Sequence, residues 1–414
     1  IVQFFWIVES SRWTIATSEG WIQATGRIPG RGLWVGLWLA TMTISLIWPG
    51  WAVASAVALW AFTGGAASPL GLVAWGVVAY LIAVVALVLP RTVYRGLFIA
   101  SAASLVIFNV GLALSTIAVA IRNPGSLVEA FKGLVSFGTI PAGVDMKLLA
   151  SAIAWAGLGA MGNAFYSLLV RDRGWGLAEY IGRIPGIFGK PTTISERGFR
   201  PNPNEADYSR LRKWARILEL DGLLVFFIPS LLSLFMFTYL AGAILHPLYV
   251  RGVITDEQLN GIGAVLVQSK FFEVLVGRWG FYVYAVVAIL ALWSTQIGLL
   301  DAMARTWADT LSIYFQKIRR MGIKKAYLGF LAIFTIVGLT VILSGAFKSR
   351  PIELLKLGAI LGISQQILSI PVTIVINHRL MPVEIRKSVG VRPVFSAILA
   401  AGVPLYLLAL LAAL

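Results

Sequence analysis

The sequence predicts an all-α integral membrane protein of about ten helices, and three observations predict it. First, of 414 residues 58% are hydrophobic and only 13% are charged, too little charge to cover the surface of a water-soluble domain of this length. Second, the apolar residues gather in blocks of roughly 20 or more, the length that crosses a bilayer core about 30 Å thick. With no water there, each block must satisfy its own backbone hydrogen bonds and is therefore helical. Third, Lys and Arg concentrate in every second connection between the blocks, the charge asymmetry of a multi-spanning protein.

The elements follow in order. The opening Ile1-Val-Gln-Phe-Phe-Trp reads as the interior of an apolar helix that ends near Val8. It has neither a basic n-region nor a small-residue cleavage site, so it is no signal peptide, and residues upstream of Ile1 are expected. Nine full spans come next: Leu33–Phe62, Leu72–Leu89, Leu97–Ile121, Leu148–Val170, Leu223–Leu245, Trp279–Ala304, Tyr327–Ala346, Leu354–Ile376 and Val394–Leu414. The first is long for one crossing, and its Pro49-Gly50 pair predicts a kink or a tilt. One set of alternate connections holds 25 of the 34 Lys and Arg residues, which makes that set cytoplasmic. The longest polar stretch, Arg171 to Asp221, is rich in turn formers and reads as a cytoplasmic loop within a single transmembrane domain, 1–414. On the opposite side, Ser126–Phe137 and Asp256–Val276 read as amphipathic surface helices that cap the bundle.

Several chemistries are excluded. With no cysteine there are no disulfides, thiolate ligands or thiol nucleophiles. The net charge of +16 is split among short connections, which argues for topology and against a nucleic-acid partner. No GxxxxGK[ST] loop or HExxH pair occurs. No convergent nucleophile and base are visible, so the chain does not read as an enzyme. His246 and His378 fall at span ends and read as interfacial.

Polar groups within spans are costly and need a reason. The segment Trp155-Ala-Gly-Leu-Gly-Ala-Met-Gly-Asn163 interrupts an apolar span with three glycines and an asparagine. Glycine weakens a helix, and a helix broken at mid-membrane frees carbonyls that can hold an ion. Asn163 adds an amide oxygen and Met161 a soft thioether. Close helix packing through Ala156, Ala160 and Ala164 accounts for the same spacing. In Leu292-Trp-Ser-Thr-Gln-Ile-Gly-Leu-Leu-Asp301, Thr295 and its neighbours are deep polar groups. Asp301 and Arg305, four apart, can pair on one helix face, either structurally or as an ion or proton relay. Gln365 and Gln366 point to different faces of their span, and Pro371 frees a carbonyl one turn earlier. Glu9 and Arg12 read as an ion pair just beyond the first helix.

Several of these segments resemble the Nramp family of divalent metal transporters, in particular its divergent prokaryotic Nramp-related branch. Glu9-Ser-Ser-Arg12 through Glu19-Gly is similar to the end of that branch's second helix. The broken span with Val170-Arg-Asp-Arg-Gly174-Trp-Gly resembles its sixth helix. Ser294-Thr-Gln-Ile-Gly298 through Asp301 and Arg305 resembles its eighth, and Ser364-Gln365 through Pro371, with Asn377 and Leu380-Met-Pro382, its tenth. The resemblance covers nearly the whole chain, in order. It implies a LeuT-type bundle of two inverted five-helix repeats plus an eleventh helix, in which the spans above are helices two to eleven and the first helix lies outside this sequence. It also implies a cell membrane location in a prokaryote. The family holds its metal between the unwound first and sixth helices. This implies Met161 and the Ala160 carbonyl as ligands, with Gln365 matching a glutamine of the tenth helix; Asn163 is added from its own amide chemistry. Two departures stand out. The family's Met-Pro-His pattern is here Ala160-Met161-Gly162-Asn163, and Leu33–Phe62 lacks the acidic residues that the family's third helix uses for proton coupling.

The expectation is a secondary transporter that moves a divalent metal cation of the Mn/Fe type or Mg²⁺ as substrate, without a bound cofactor, H⁺ or Na⁺ being the candidate coupling ions. The rival readings are a LeuT-type carrier of a small organic solute, such as an amino acid, and a non-transporting membrane scaffold or sensor.

Overall fold

A computed structural model describes residues 1–30, 32–63, 68–88, 91–136, 138–140, 143–159, 161–180, 198–260, 263–345 and 352–413. No strand occurs among them. Among the described residues eight helical segments are long and apolar enough to cross a membrane, and the chain is a multi-pass helical membrane protein.

The first helices are α1 (Val2–Thr17), α2 (Trp21–Thr25), α3 (Gly32–Leu46), α4 (Gly50–Phe62), α5 (Pro69–Val88), α6 (Arg91–Arg122) and the surface helix α7 (Pro124–Val135). Two half-helices follow, α8 (Met146–Trp155) and α9 (Gly162–Asp172). A short 3₁₀ turn covers Gly176–Tyr180. Then α10 (Glu205–Asp221), α11 (Ile228–Leu240) and α12 (His246–Val250) join through two π-helical turns into one rod, Glu205–Val250. The outer helices α13 (Asp256–Asn260), α14 (Ala264–Val267) and α15 (Lys270–Val276) lead into the long α16 (Trp279–Tyr314). The chain closes with α17 (Gln316–Met321), α18 (Ile323–Leu343), α19 (Ile352–Val375), a π-helical turn over Ile376–Leu380, α20 (Val383–Ser388) and α21 (Pro393–Ala413).

Two elements differ from the sequence reading, and a third breaks at the Pro49-Gly50 pair where a kink is expected. The first helix does not stop near Val8 but runs to Thr17, so Glu9 and Arg12 lie inside it and are buried. The stretch 205–221, read as the end of a loop, is α10; Asn204 caps it by accepting from the Asp207 N–H at 2.8 Å. Residues 181–197 of that loop lie outside the described ones. The long first span is two helices, α3 and α4, which part at Ile47–Pro49, where proline cannot donate to the ladder.

Lipid is as apolar as leucine, so close packing and internal hydrogen bonds, not water exclusion, hold such helices together. The bundle reflects this. Leu70, Val106, Ile336 and Leu408 are exposed at its periphery, whereas the centre gathers glutamines, asparagines, hydroxyls and tryptophans. α19 packs against α3, α8 and α21, α1 packs against α9, and α16 packs against α4, α5, α6 and α18. Thr373 of α19 ties three elements at one atom: its Oγ1 accepts from the indoles of Trp6 and Trp21, each at 2.9 Å.

A broken helix clasped by glutamines

The span read over Leu148–Val170 is broken. α8 starts at Asp145, whose carboxylate accepts from the N–H groups of Lys147 and Leu148 at 2.9 and 3.1 Å. Its Ala- and Leu-rich turns continue to Trp155. Gly159 then adopts a φ of 67°, which other residues enter only at a cost of about 1–2 kcal/mol. A Cβ there would also strike the Trp155 ring, and one on Gly157 would strike the Gln3 amide oxygen. The chain re-enters helix at Gly162, with Met161 as its N-cap.

A break this deep leaves the last carbonyls of α8 and the first N–H groups of α9 without helical partners. Two glutamines from other helices take them up. Gln3 of α1 is 3% exposed. Its Nε2 donates to Ala154 O at 3.0 Å and reaches Ile153 O at 3.5 Å, while its Oε1 accepts from the Gly159 N–H and from Asn163 Nδ2, both at 3.2 Å. The partners fix the orientation of the amide, since two are donors and two are carbonyls. On the other side Gln365 Oε1 accepts from the Met161 N–H at 3.1 Å, and its Nε2 donates to Ser45 Oγ at 2.9 Å and to the Thr41 carbonyl. Gln365 therefore joins the broken helix to α3.

Met161, Asn163 and Gln365 all lie buried at the break, Gln365 through the Met161 N–H and Asn163 through Gln3. Ala160 lies outside the described residues. The donors at the break are neutral: carbonyls, amides and one thioether. Among the described residues no group of three or more His, Asp or Glu is placed to hold a metal ion. A groove of about 610 Å³ lies elsewhere, between α7 and α11, lined by residues such as Ala130, Leu231 and Tyr239.

Asp301 and Arg305 do pair, with Nη2–Oδ1 at 2.9 Å, and the pair belongs to a larger cluster. Tyr327 donates to Asp301 at 2.8 Å, and Arg305 lies 3.5 Å from Asp172 at the end of α9. The neighbouring Arg171 forms a 2.9 Å ion pair with Asp309, both almost wholly buried. Thr295 bonds back to Ala291 O at 3.0 Å on its own helix, and no described contact joins it to the cluster. A second charged cluster surrounds Arg12, which reaches Glu9 at 2.6 Å, Glu219 of α10 at 2.8 Å and the Val389 carbonyl. Asn377 donates to Glu9 Oε2 at 2.9 Å. Both clusters lie at the basic end of the bundle and fasten it.

The residue that sequence reasoning missed is Gln3. Its signal was present, an amide within an apolar helix, which the cost of intramembrane polar groups marks for attention. Compared with known proteins, the chain matches no family model, and no curated protein is similar enough to count as a match.

Proposed function

We propose that this protein is a secondary transporter of a divalent metal cation, of the Nramp-related type and LeuT-type architecture, with its substrate handled at the gap between α8 and α9. The observation that carries this reading is the break itself. The α8 carbonyls, Asn163, Met161 and Gln365 converge on the stretch between Trp155 and Gly162, where α8 has ended and α9 has not begun, in the middle of an apolar span. Irregular backbone at that depth is tolerated where it lines a binding cavity or lies buried in protein, and half-helix ends are where transporters hold ions. The Nramp resemblance of the surrounding motifs adds the substrate class.

Neutral oxygens suit a hard cation that keeps part of its water shell, as Mg²⁺ does. The Met161 thioether is the one soft donor and favours Mn²⁺ or Fe²⁺. Alternating access would have α9 swing against α16 as the Arg171–Asp309 and Arg305–Asp172 pairs open and close on the cytoplasmic side. The test is uptake of Mn²⁺ and Mg²⁺ into proteoliposomes that hold the purified protein. Uptake above that of protein-free liposomes is expected for at least one of them; if neither ion moves or binds, the reading fails.

A further inference from the structure

The proposed site places an unusual group against the α8 carbonyls: an amide NH₂ on a side chain from another helix. An N–H hydrogen carries partial positive charge, and a carbonyl oxygen that accepts from it is oriented as it would be toward a cation. Gln3 Nε2 meets Ala154 O at 3.0 Å and Ile153 O at 3.5 Å. Those two carbonyls belong to the last turn of α8 and carry the negative end of its dipole. The oxygen end of the same amide holds Gly159 N–H and Asn163 Nδ2. Gln3 therefore bridges both sides of the break with one rigid planar group, and the contact is buried except toward Ile153, which is exposed.

From this geometry we infer that Gln3 is a positioning residue that competes with the cation: its NH₂ and the transported ion take turns on the Ile153 and Ala154 carbonyls. When a cation binds, the amide turns away and the carbonyls pass from N–H to metal. When it leaves, Gln3 closes the gap and spares the carbonyls an unpaired state in lipid, where each would cost several kcal/mol. The exchange gives the gap two arrangements of similar energy, which a carrier needs if it is to release what it binds. This inference rests on the transporter reading and adds a residue and a role to it.

The role separates from a purely structural one by linkage. A clasp present equally in both forms, when lost, lowers stability and leaves ion affinity unchanged. A competitor stabilises the ion-free form alone, so its loss lowers the stability of that form and tightens ion binding. The experiment measures Mn²⁺ dissociation constants and thermal unfolding with and without Mn²⁺, on the whole chain in nanodiscs, for wild type, Gln3→Met and Gln3→Glu. Gln3→Met keeps the shape and removes both polar groups. It should unfold at a lower temperature without metal and bind Mn²⁺ about three- to tenfold more tightly, the scale of one or two net hydrogen bonds. Gln3→Glu keeps the acceptor for Gly159 and Asn163 but sets a carboxylate against the two carbonyls. It should bind Mn²⁺ more than about tenfold more tightly, by charge attraction in a site of low dielectric. An affinity of Gln3→Met equal to or weaker than wild type overturns the role of Gln3, whatever Gln3→Glu does, while wild-type binding and uptake stand. If Gln3→Met does not fold, Gln3→Leu, which also removes both polar groups, takes its place with the same expected outcome. A wild-type protein that neither binds nor moves Mn²⁺ or Mg²⁺ overturns the transporter reading and this inference together.

Discussion

The bundle contains two broken spans, and they are broken differently. The α3–α4 break is made by proline, is three residues long, and is repaired mainly nearby: Ile47 N–H still reaches Thr43 O at 2.9 Å and the Trp48 indole donates to Ile44 O at 2.7 Å. Outside groups add to this: Gln296 of α16, whose Oε1 accepts from the Ala52 N–H at 3.2 Å, and Gln365 of α19, which donates to Ser45 Oγ at 2.9 Å near the end of α3. The α8–α9 break is made by glycines, lies between Trp155 and Gly162, and is held by side chains of α1 and α19. Charge also anchors its outer ends, Asp145 near Lys356 at one and Arg171 with Asp309 at the other, whereas α3 and α4 carry no charged residue. The proline break is a bend. The glycine break is a gap bridged by amides of two other helices, and the proposed function places the ligand there.

The sharpest way to break this comparison is at the anchored end. Arg171→Met strands Asp309 in a buried position, and losing one partner of such a pair costs about 3–5 kcal/mol. Thermal unfolding in nanodiscs should fall accordingly, and the double variant Arg171→Met/Asp309→Leu should recover most of the loss; no recovery would show that the pair does more than fasten α9 to α16. Next comes the gap itself. Gly159→Ala forces a side chain into the left-handed region at about 1–2 kcal/mol, before counting the collision with Trp155. Uptake should fall about tenfold or more, while Pro49→Ala at the other break should leave it nearly unchanged. Equal effects at both sites would erase the distinction between bend and gap.

Smaller still is Gln296→Leu, which leaves the buried Ala52 N–H without its acceptor and should cost about 1–3 kcal/mol in stability without changing the affinity for Mn²⁺. The smallest effect is expected at Asp145→Ala, which removes the α8 cap at about 1 kcal/mol. The Leu148 N–H, chiefly, holds the Asp145 carboxyl below its ordinary range. A depressed folded value means that the cap contributes fully above the usual aspartate value of about 4 and is lost as pH falls through the lowered one. Acid unfolding of the wild type should therefore show a small loss below about pH 4 that Asp145→Ala lacks.

Much of this was legible in the amino-acid order because its causes are local. Blocks of apolar residues mark the spans, Pro49 marks one break, and the glycines at 157, 159 and 162 mark the other. What stayed hidden depends on distant partners. Glu9 and Arg12 read as a pair outside the helix because nothing nearby announces that Glu219, Asn377 and the Val389 carbonyl enclose them. Arg171 and Asp309 lie 138 positions apart, and no local pattern pairs them. The polar run before Asp221 masked α10, whose first turn is acidic and capped. Gln3 drew no reading because the break it bridges lies some 150 residues away. At the candidate site, the sequence singled out Met161, Asn163 and Gln365 but passed over Gln3.

The central claim is that the gap between α8 and α9 is where the cation sits. Anomalous scattering from Mn²⁺ soaked into crystals of the protein tests it most directly. The account predicts an anomalous peak within coordination distance, about 2.0–2.6 Å for oxygen ligands, of the Ala154 carbonyl, with Gln3 turned away from it. A Mn²⁺ peak confined to the charged clusters around Arg12 or Arg305, with Gln3 still seated on the carbonyls, would contradict it.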